Sequence, residues 1–207
     1  MNNSCGDSRF LYKLIDVLMR TMERRESYTH NHQNWVSVVA RRLAQELKMS
    51  ANEVEGIRIA GQLHDVGKIA VPTELLTKVG SLCHEEFELI KTHVVHSVEI
   101  LESIEFPKSV LQMIKQHHER LDGSGYPQGL KNTEIVDGAR ILALADMADA
   151  VSGPRPYRPA QGVEGVLKIL EEDQGCSYDR DVANAFYSLL KRDDEELLRA
   201  LHHQAKV

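Results

Sequence analysis

Residues 50–68 read Ser50-Ala-Asn-Glu-Val-Glu-Gly-Ile-Arg-Ile-Ala-Gly-Gln-Leu-His-Asp-Val-Gly-Lys68. Ser50 and Glu53 stand at capping-box spacing and predict a helix start. Val54, Ile57, Ala60 and Leu63 then recur at helical spacing, with Ile59 on the flank. That apolar stripe runs into His64 and Asp65, with Val66-Gly67-Lys68 immediately behind. A carboxylate and an imidazole delivered to a helix interior are costly unless a cation accompanies them. A lone His-Asp pair is weak evidence, so its weight depends on what the rest of the chain brings to it.

Helical periodicity continues on both sides. Leu11, Leu14, Ile15, Leu18, Met19 and Met22 form one stripe within 8–26, and His32, Val36, Val39, Ala40, Leu43 and Leu47 form a second. A helix is predicted from about His84 to Ile104 with Phe87, Ile90, Val94, Val98 and Leu101 inward. The next starts at Pro107 and carries Val110, Leu111, Ile114 and His118. Asp122-Gly-Ser-Gly-Tyr-Pro-Gln-Gly-Leu130 cannot be helical, given its glycines and proline. Helix resumes near Asn132 and runs to Ser152, where Gly153-Pro154-Arg155-Pro156 breaks it; amphipathic segments follow at about 161–173, 181–191 and 193–204. No alternating strand pattern is present, and the fold class expected is all-α.

At 207 residues the chain suits one domain with a short extra segment. Its net charge of −6 excludes a non-specific grip on duplex nucleic acid, so an anionic substrate must be met by local cations or metal. Three cysteines without a CxxC exclude a disulfide framework or zinc knuckle and fit a reducing compartment. With no secretory signal and no membrane-length apolar run, a cytoplasmic protein is expected.

Ten histidines are about twice ordinary usage. His32 shares a stripe with Val36 and Leu43, and His93 sits beside Ile90 and Val94. His117 and His118 are adjacent and splay apart on a helix, while Asp146 lies among alanines with Asp149 one turn on. Any one of these alone reads as a satisfied core residue. Together with His64 and Asp65 they make five histidines and two aspartates on at least five helices. Without thiolate, that donor set suits iron, manganese, zinc or nickel. Seven candidates exceed the four a structural zinc needs and point to two ions in a catalytic or redox site.

His64-Asp65, His117-His118-Glu119, Asp122-Gly123-Ser124-Gly125-Tyr126-Pro127 and Arg155-Pro156-Tyr157-Arg158 together resemble the HD-GYP family, over about residues 28–190. The resemblance implies an HD-superfamily helical bundle with a C-terminal helical extension. It implies a bacterial hydrolase that opens cyclic di-GMP to pGpG, and on to GMP, by a hydroxide bridging two metals. His32, His64, Asp65, His93, His117, His118 and Asp146 match the ligand positions, with Asp65 shared. Lys68 matches a phosphate-facing lysine, and Arg155 and Arg158 match cations that hold the cyclic dinucleotide. The loop of Asp122, Gly123, Gly125, Tyr126 and Pro127 shapes the site and docks signalling partners. The expected cofactor is two divalent ions per chain, Fe or Mn ahead of Zn or Ni.

Some positions depart from the pattern. Tyr28 replaces the glutamate of three-metal members, so two ions are expected, with Tyr28 and Asp149 behind the ligands. Trp35 stands where arginine is frequent, Pro154 replaces an acidic residue, and His30, His84 and His96 are extra, His96 being a candidate support for His93. The expected organisation is an N-terminal packing or homodimer helix at 1–27, the hydrolase at 28–192 and a C-terminal helix at 193–207. Residues 1–27 leave no room for a sensor domain, so regulation is expected from a partner or a longer parent chain. Competing readings are a non-catalytic dinucleotide receptor or adaptor, a di-iron sensor, and a hydrolase for a mixed guanine–adenine cyclic dinucleotide.

Overall fold

The computed structural model describes residues 4–25, 27–104, 106–153 and 159–202, and for 4–8, 23, 25, 27–31 and 202 the backbone alone. Its α-helices are α1 (Ser4–Arg25), α2 (Ser27–Glu46), α3 (Ala51–Leu63), α4 (Thr73–Leu76), α5 (His84–Lys91) and α6 (His93–Glu102). They continue as α7 (Lys108–Gln116), α8 (Asp137–Ser152), α9 (Gly162–Asp173), α10 (Arg180–Lys191) and α11 (Glu195–His202), and no strand occurs among the described residues. The all-α expectation holds.

Two helices organise the rest. α2 packs on α1, α3, α8, α10 and α11, and its stripe of Val36, Val39, Ala40 and Leu43 is fully buried. α8 packs on α2, α3, α7, α9, α10 and α11. It is apolar on every side, with Ala139, Ile141, Leu142, Ala143, Leu144, Ala145, Met147 and Ala148 all buried, as a central helix must be. Removing one fully buried leucine such as Leu144 by Leu→Ala costs about 2–5 kcal/mol. Asp146 and Asp149 are carried in this apolar helix, which is tolerable only with partners.

Local signals explain the element ends. The Ser50–Glu53 capping box forms, with the Ser50 amide donating to Glu53 Oε2 at 2.9 Å. α3 stops at His64, and a 3₁₀ turn follows at Val66–Ala70. α11 is held on α2 by Arg42–Asp194 and Arg41–Glu196 pairs and by buried Leu197 and Leu201.

The structure corrects four sequence expectations, the first being that the helix expected to carry His117 and His118 ends at Gln116 and leaves both in the turn beyond it. The helix expected from His84 to Ile104 is two, because the chain turns at Thr92, whose hydroxyl donates to the Leu89 carbonyl at 2.6 Å. The helix expected from Asn132 starts as a 3₁₀ turn at Asn132–Glu134 and becomes α-helical at Asp137. Phe87, expected inside, is 42% exposed, and its ring meets that of Tyr126 at 6.2 Å.

Candidate metal centre

Three histidines of the cluster share one local device. His64 and His117 cap the C-termini of α3 and α7, and His93 follows the end of α5. Helix ends leave carbonyls without partners. Each ring takes one: His64 Nδ1 lies 2.8 Å from Gly61 O, His93 Nδ1 2.7 Å from Ile90 O, and His117 Nδ1 2.6 Å from Ile114 O. A carbonyl only accepts, so Nδ1 carries the proton in all three and Nε2 is left with a lone pair. This fixes the ring and the tautomer a metal ligand needs.

Those lone pairs converge on Asp65. His93 Nε2 lies 3.3 Å from Asp65 Oδ1, and His64 Nε2 3.3 Å from Asp65 Oδ2. Asp65, His93, His117 and His118 offer ligand atoms all within 4.8 Å of one another, as do His32, His64 and Asp65. Asp65 is therefore common to two sets. Asp146 joins both, with Oδ1 3.2 Å from His32 Nε2 and Oδ2 3.9 Å from His118 Nδ1. His32 Nδ1 lies 2.6 Å from Asp149 Oδ2.

The buried polar atoms test whether a cation fits. His64 Nε2, His93 Nε2, His117 Nε2 and Asp65 Oδ1 are buried and have no hydrogen-bond partner. Each such orphan costs about 1–3 kcal/mol if nothing satisfies it. Imidazole lone pairs and a carboxylate oxygen are what divalent cations take up, and His93, His117 and Asp65 belong to one of the two sets while His64 belongs to the other.

Electrostatics point the same way. Burial, reinforced by His64 and His93, pushes His117 down to about 3, and burial also lowers His118 and His93. These rings are neutral, as ligands must be. Burial would also lower His32, but Asp146, Asp149 and Asp65 overcome it and hold His32 well above its usual value. Burial would raise Asp65, and His64 and Lys68 more than offset it; burial would raise Asp146, and His32 more than offsets it, so both carboxylates stay ionised. Lys68 Nζ donates to Asp65 Oδ2 at 2.6 Å from the partly open side of the cluster.

The glycine-rich loop is tied to the same helix end. Glu119, buried beside His118, accepts from the amides of Gln128 at 2.7 Å and Leu130 at 3.0 Å. A Cβ at Gly125 would meet Glu119 Cα and His118 O at 2.4 Å, so only glycine fits there. Tyr126 follows through a cis bond to Pro127 and stacks on His118, with ring centres 4.7 Å apart. Asp122 lies at the surface and accepts from Ser124 N at 2.9 Å, and Gly123 takes a positive φ of 83°.

The structure thus brings together His32, His64, Asp65, His93, His117, His118 and Asp146, with Asp149 and Lys68 against them. Arg155 and Arg158, and the side chains of Tyr28 and His30, lie outside the described residues. His96 is not at the cluster; its side chain is 39% exposed and pairs with Glu99. Sequence reasoning gave no role to Glu119 or to Ser97. Ser97 Oγ donates to His64 O at 2.9 Å and accepts from Gly67 N at 2.8 Å. Its position one turn beyond His93 was the available signal.

Comparison with known proteins agrees with this geometry. The HD domain family profile matches residues 14–182. A cyclic di-GMP phosphodiesterase of Thermotoga maritima is 39% identical over 186 residues, 88% of this chain and 50% of that protein. A 3'3'-cGAMP-specific phosphodiesterase of Vibrio cholerae is 31% identical over 201 residues, 97% of this chain and 44% of its own length. The chain spans about half the length of these relatives. A solved HDG"Y"P protein from Bdellovibrio bacteriovorus superposes with a TM-score of 0.64 at 21% identity, covering 86% of this chain and 60% of its own, a likeness of fold.

Proposed function

The chain belongs to the HD domain family, in its HD-GYP branch, and on that premise we propose that it is a metal-dependent phosphodiesterase acting on cyclic di-GMP. The observation that carries this reading is the set of four buried, unpartnered ligand atoms gathered around Asp65.

In this reading His32, His64, Asp65, His93, His117, His118 and Asp146 hold two divalent ions, Fe or Mn ahead of Zn or Ni, with Asp65 shared. When bound, such a pair polarises a phosphoryl oxygen and lowers the pKa of water. The protein contributes pre-set imidazoles, fixed by backbone carbonyls before any ligand arrives. Lys68, now on Asp65, is placed to swing its ammonium onto a phosphate oxygen as negative charge grows there. Arg155 and Arg158, from their family match, hold the remainder of the dinucleotide by charge-assisted bonds.

Protein loaded anaerobically with Fe(II) or Mn(II) should convert cyclic di-GMP to pGpG, with GMP as the further product, and a chelator should abolish this. Binding without cleavage by fully loaded protein would overturn the reading in favour of a receptor or adaptor. A mixed guanine–adenine substrate is the second reading, favoured by the name of the Vibrio cholerae relative. Parallel turnover of both dinucleotides separates the two.

A further inference from the structure

Beyond the ligands, the rings continue outward. Tyr126 stacks on His118, and Phe87 meets Tyr126 edge to face at 6.2 Å and 81°. Phe87 is 42% exposed. The ammonium of Lys91 sits 4.8 Å from the Phe87 ring centre and 5.3 Å from that of Tyr126. A cation over two aromatic faces is a favourable arrangement, strongest where water is partly excluded. Lys91 also donates to Glu88 at 2.6 Å. An ammonium has three donors, so this bond leaves it others to offer.

We propose that Phe87 and Lys91 of α5 form a purine ledge that seats a guanine of the cyclic dinucleotide beside the metal centre. The inference rests on the phosphodiesterase reading above and adds to it the place where the base is recognised. Two ring-to-ring steps of 4.7 and 6.2 Å connect His118 to Phe87 through Tyr126, so the exposed phenyl ring lies beside the metal centre. Stacking on an aromatic face supplies affinity to any base. Lys91 supplies the choice: guanine presents O6 and N7 as acceptors, whereas adenine places an amino donor where O6 would be. The ledge is continuous with the cluster through Tyr126, and its charge complements the electron-rich edge of guanine. These two features favour a base over a protein partner on the exposed phenyl ring.

The test uses metal-loaded protein and slowly hydrolysed phosphorothioate analogues of cyclic di-GMP, 3'3'-cGAMP and cyclic di-AMP, with binding followed by titration calorimetry. Wild-type protein should bind in that order. Phe87→Ala should weaken binding of all three by about tenfold, the loss of one base–aromatic stack. Phe87→Trp should restore affinity, and Phe87→Leu, similar in bulk but without a π face, should not. Lys91→Met should narrow the preference for guanine over adenine more than it lowers overall affinity. Metal content by elemental analysis should match wild type throughout. If wild type binds and hydrolyses a dinucleotide while Phe87→Ala and Phe87→Leu bind as well as it does, the ledge is overturned and the enzyme reading stands. If metal-loaded wild type neither binds nor hydrolyses any of the three, both fall.

Discussion

Around Asp65 Oδ2, both nitrogens of His32 already face carboxylates, Asp149 at 2.6 Å and Asp146 at 3.2 Å. Around Asp65 Oδ1, the Nε2 atoms of His93 and His117 meet no hydrogen-bond partner. The two sides use the same residue types on opposite plans. On the first, an imidazolium at His32 can balance acids, which leaves His64 Nε2, 3.3 Å from Asp65 Oδ2, as its buried atom without a hydrogen-bond partner. On the second, the neutral rings of His93 and His117 present unpartnered lone pairs that a cation would relieve. The side of His93 and His117 thus leaves more of its donors to a metal than the side of His32 does.

The sharpest way to break this comparison is through the residue the two sides share. Asp65→Ala should abolish turnover and bring metal content close to zero, read by product analysis and elemental analysis on the same sample. Retention of two ions would mean the sides are independent sites. Next in size is Lys68→Ala, which removes the cation hydrogen-bonded to the shared carboxylate. It should keep its metal and lose turnover by about 10²–10³-fold, as for a lost electrostatic stabiliser. An unchanged kcat/KM would show that Lys68 never meets the phosphate.

Asp149→Asn sharpens the comparison, because the Asp149 carboxylate meets His32 on one side of Asp65. Metal affinity should fall by about 10–100-fold for one ion, taking content toward one per chain at limiting metal. Equal loss of both ions would show that the sides load as a unit. The smallest effect is expected at Glu119→Gln, which weakens the carboxylate's hold on the Gln128 and Leu130 amides. A stability loss of about 1–3 kcal/mol, from the shift in urea midpoint, should come with near-normal metal content.

Much of this was legible in order of periodicity. The Ser50–Glu53 cap, the α2 stripe and the His-Asp ending of α3 follow from spacing and capping alone, and they carry His32, His64 and Asp65 into one place. Thr92 was harder. Nothing in its neighbours' hydrophobicity marks a turn, because the break comes from a threonine hydroxyl competing for the Leu89 carbonyl. Glu119 was seen only as part of a motif, since a carboxylate that accepts from amides nine and eleven residues away leaves no periodic trace. Asp149 was legible as a support behind the ligands, but not which ligand it supports, since its partner His32 is 117 residues away.

Gly67 supplies no candidate ligand atom, yet it determines how closely two of them can stand. A Cβ there would lie 2.0 Å from the His93 carbonyl oxygen and 2.4 Å from Ser97 N, so α6 abuts the bare backbone behind Asp65. In a saturation library scored by growth or turnover, Gly67 should be as intolerant as Asp65 itself, and a reader of the scores alone would count it among the chemical residues. Its intolerance would have a different signature. Ligand variants would express normally and lack metal, while Gly67 variants would be depleted from the soluble pool, because a methyl group at this position wedges apart the two segments that carry the donors.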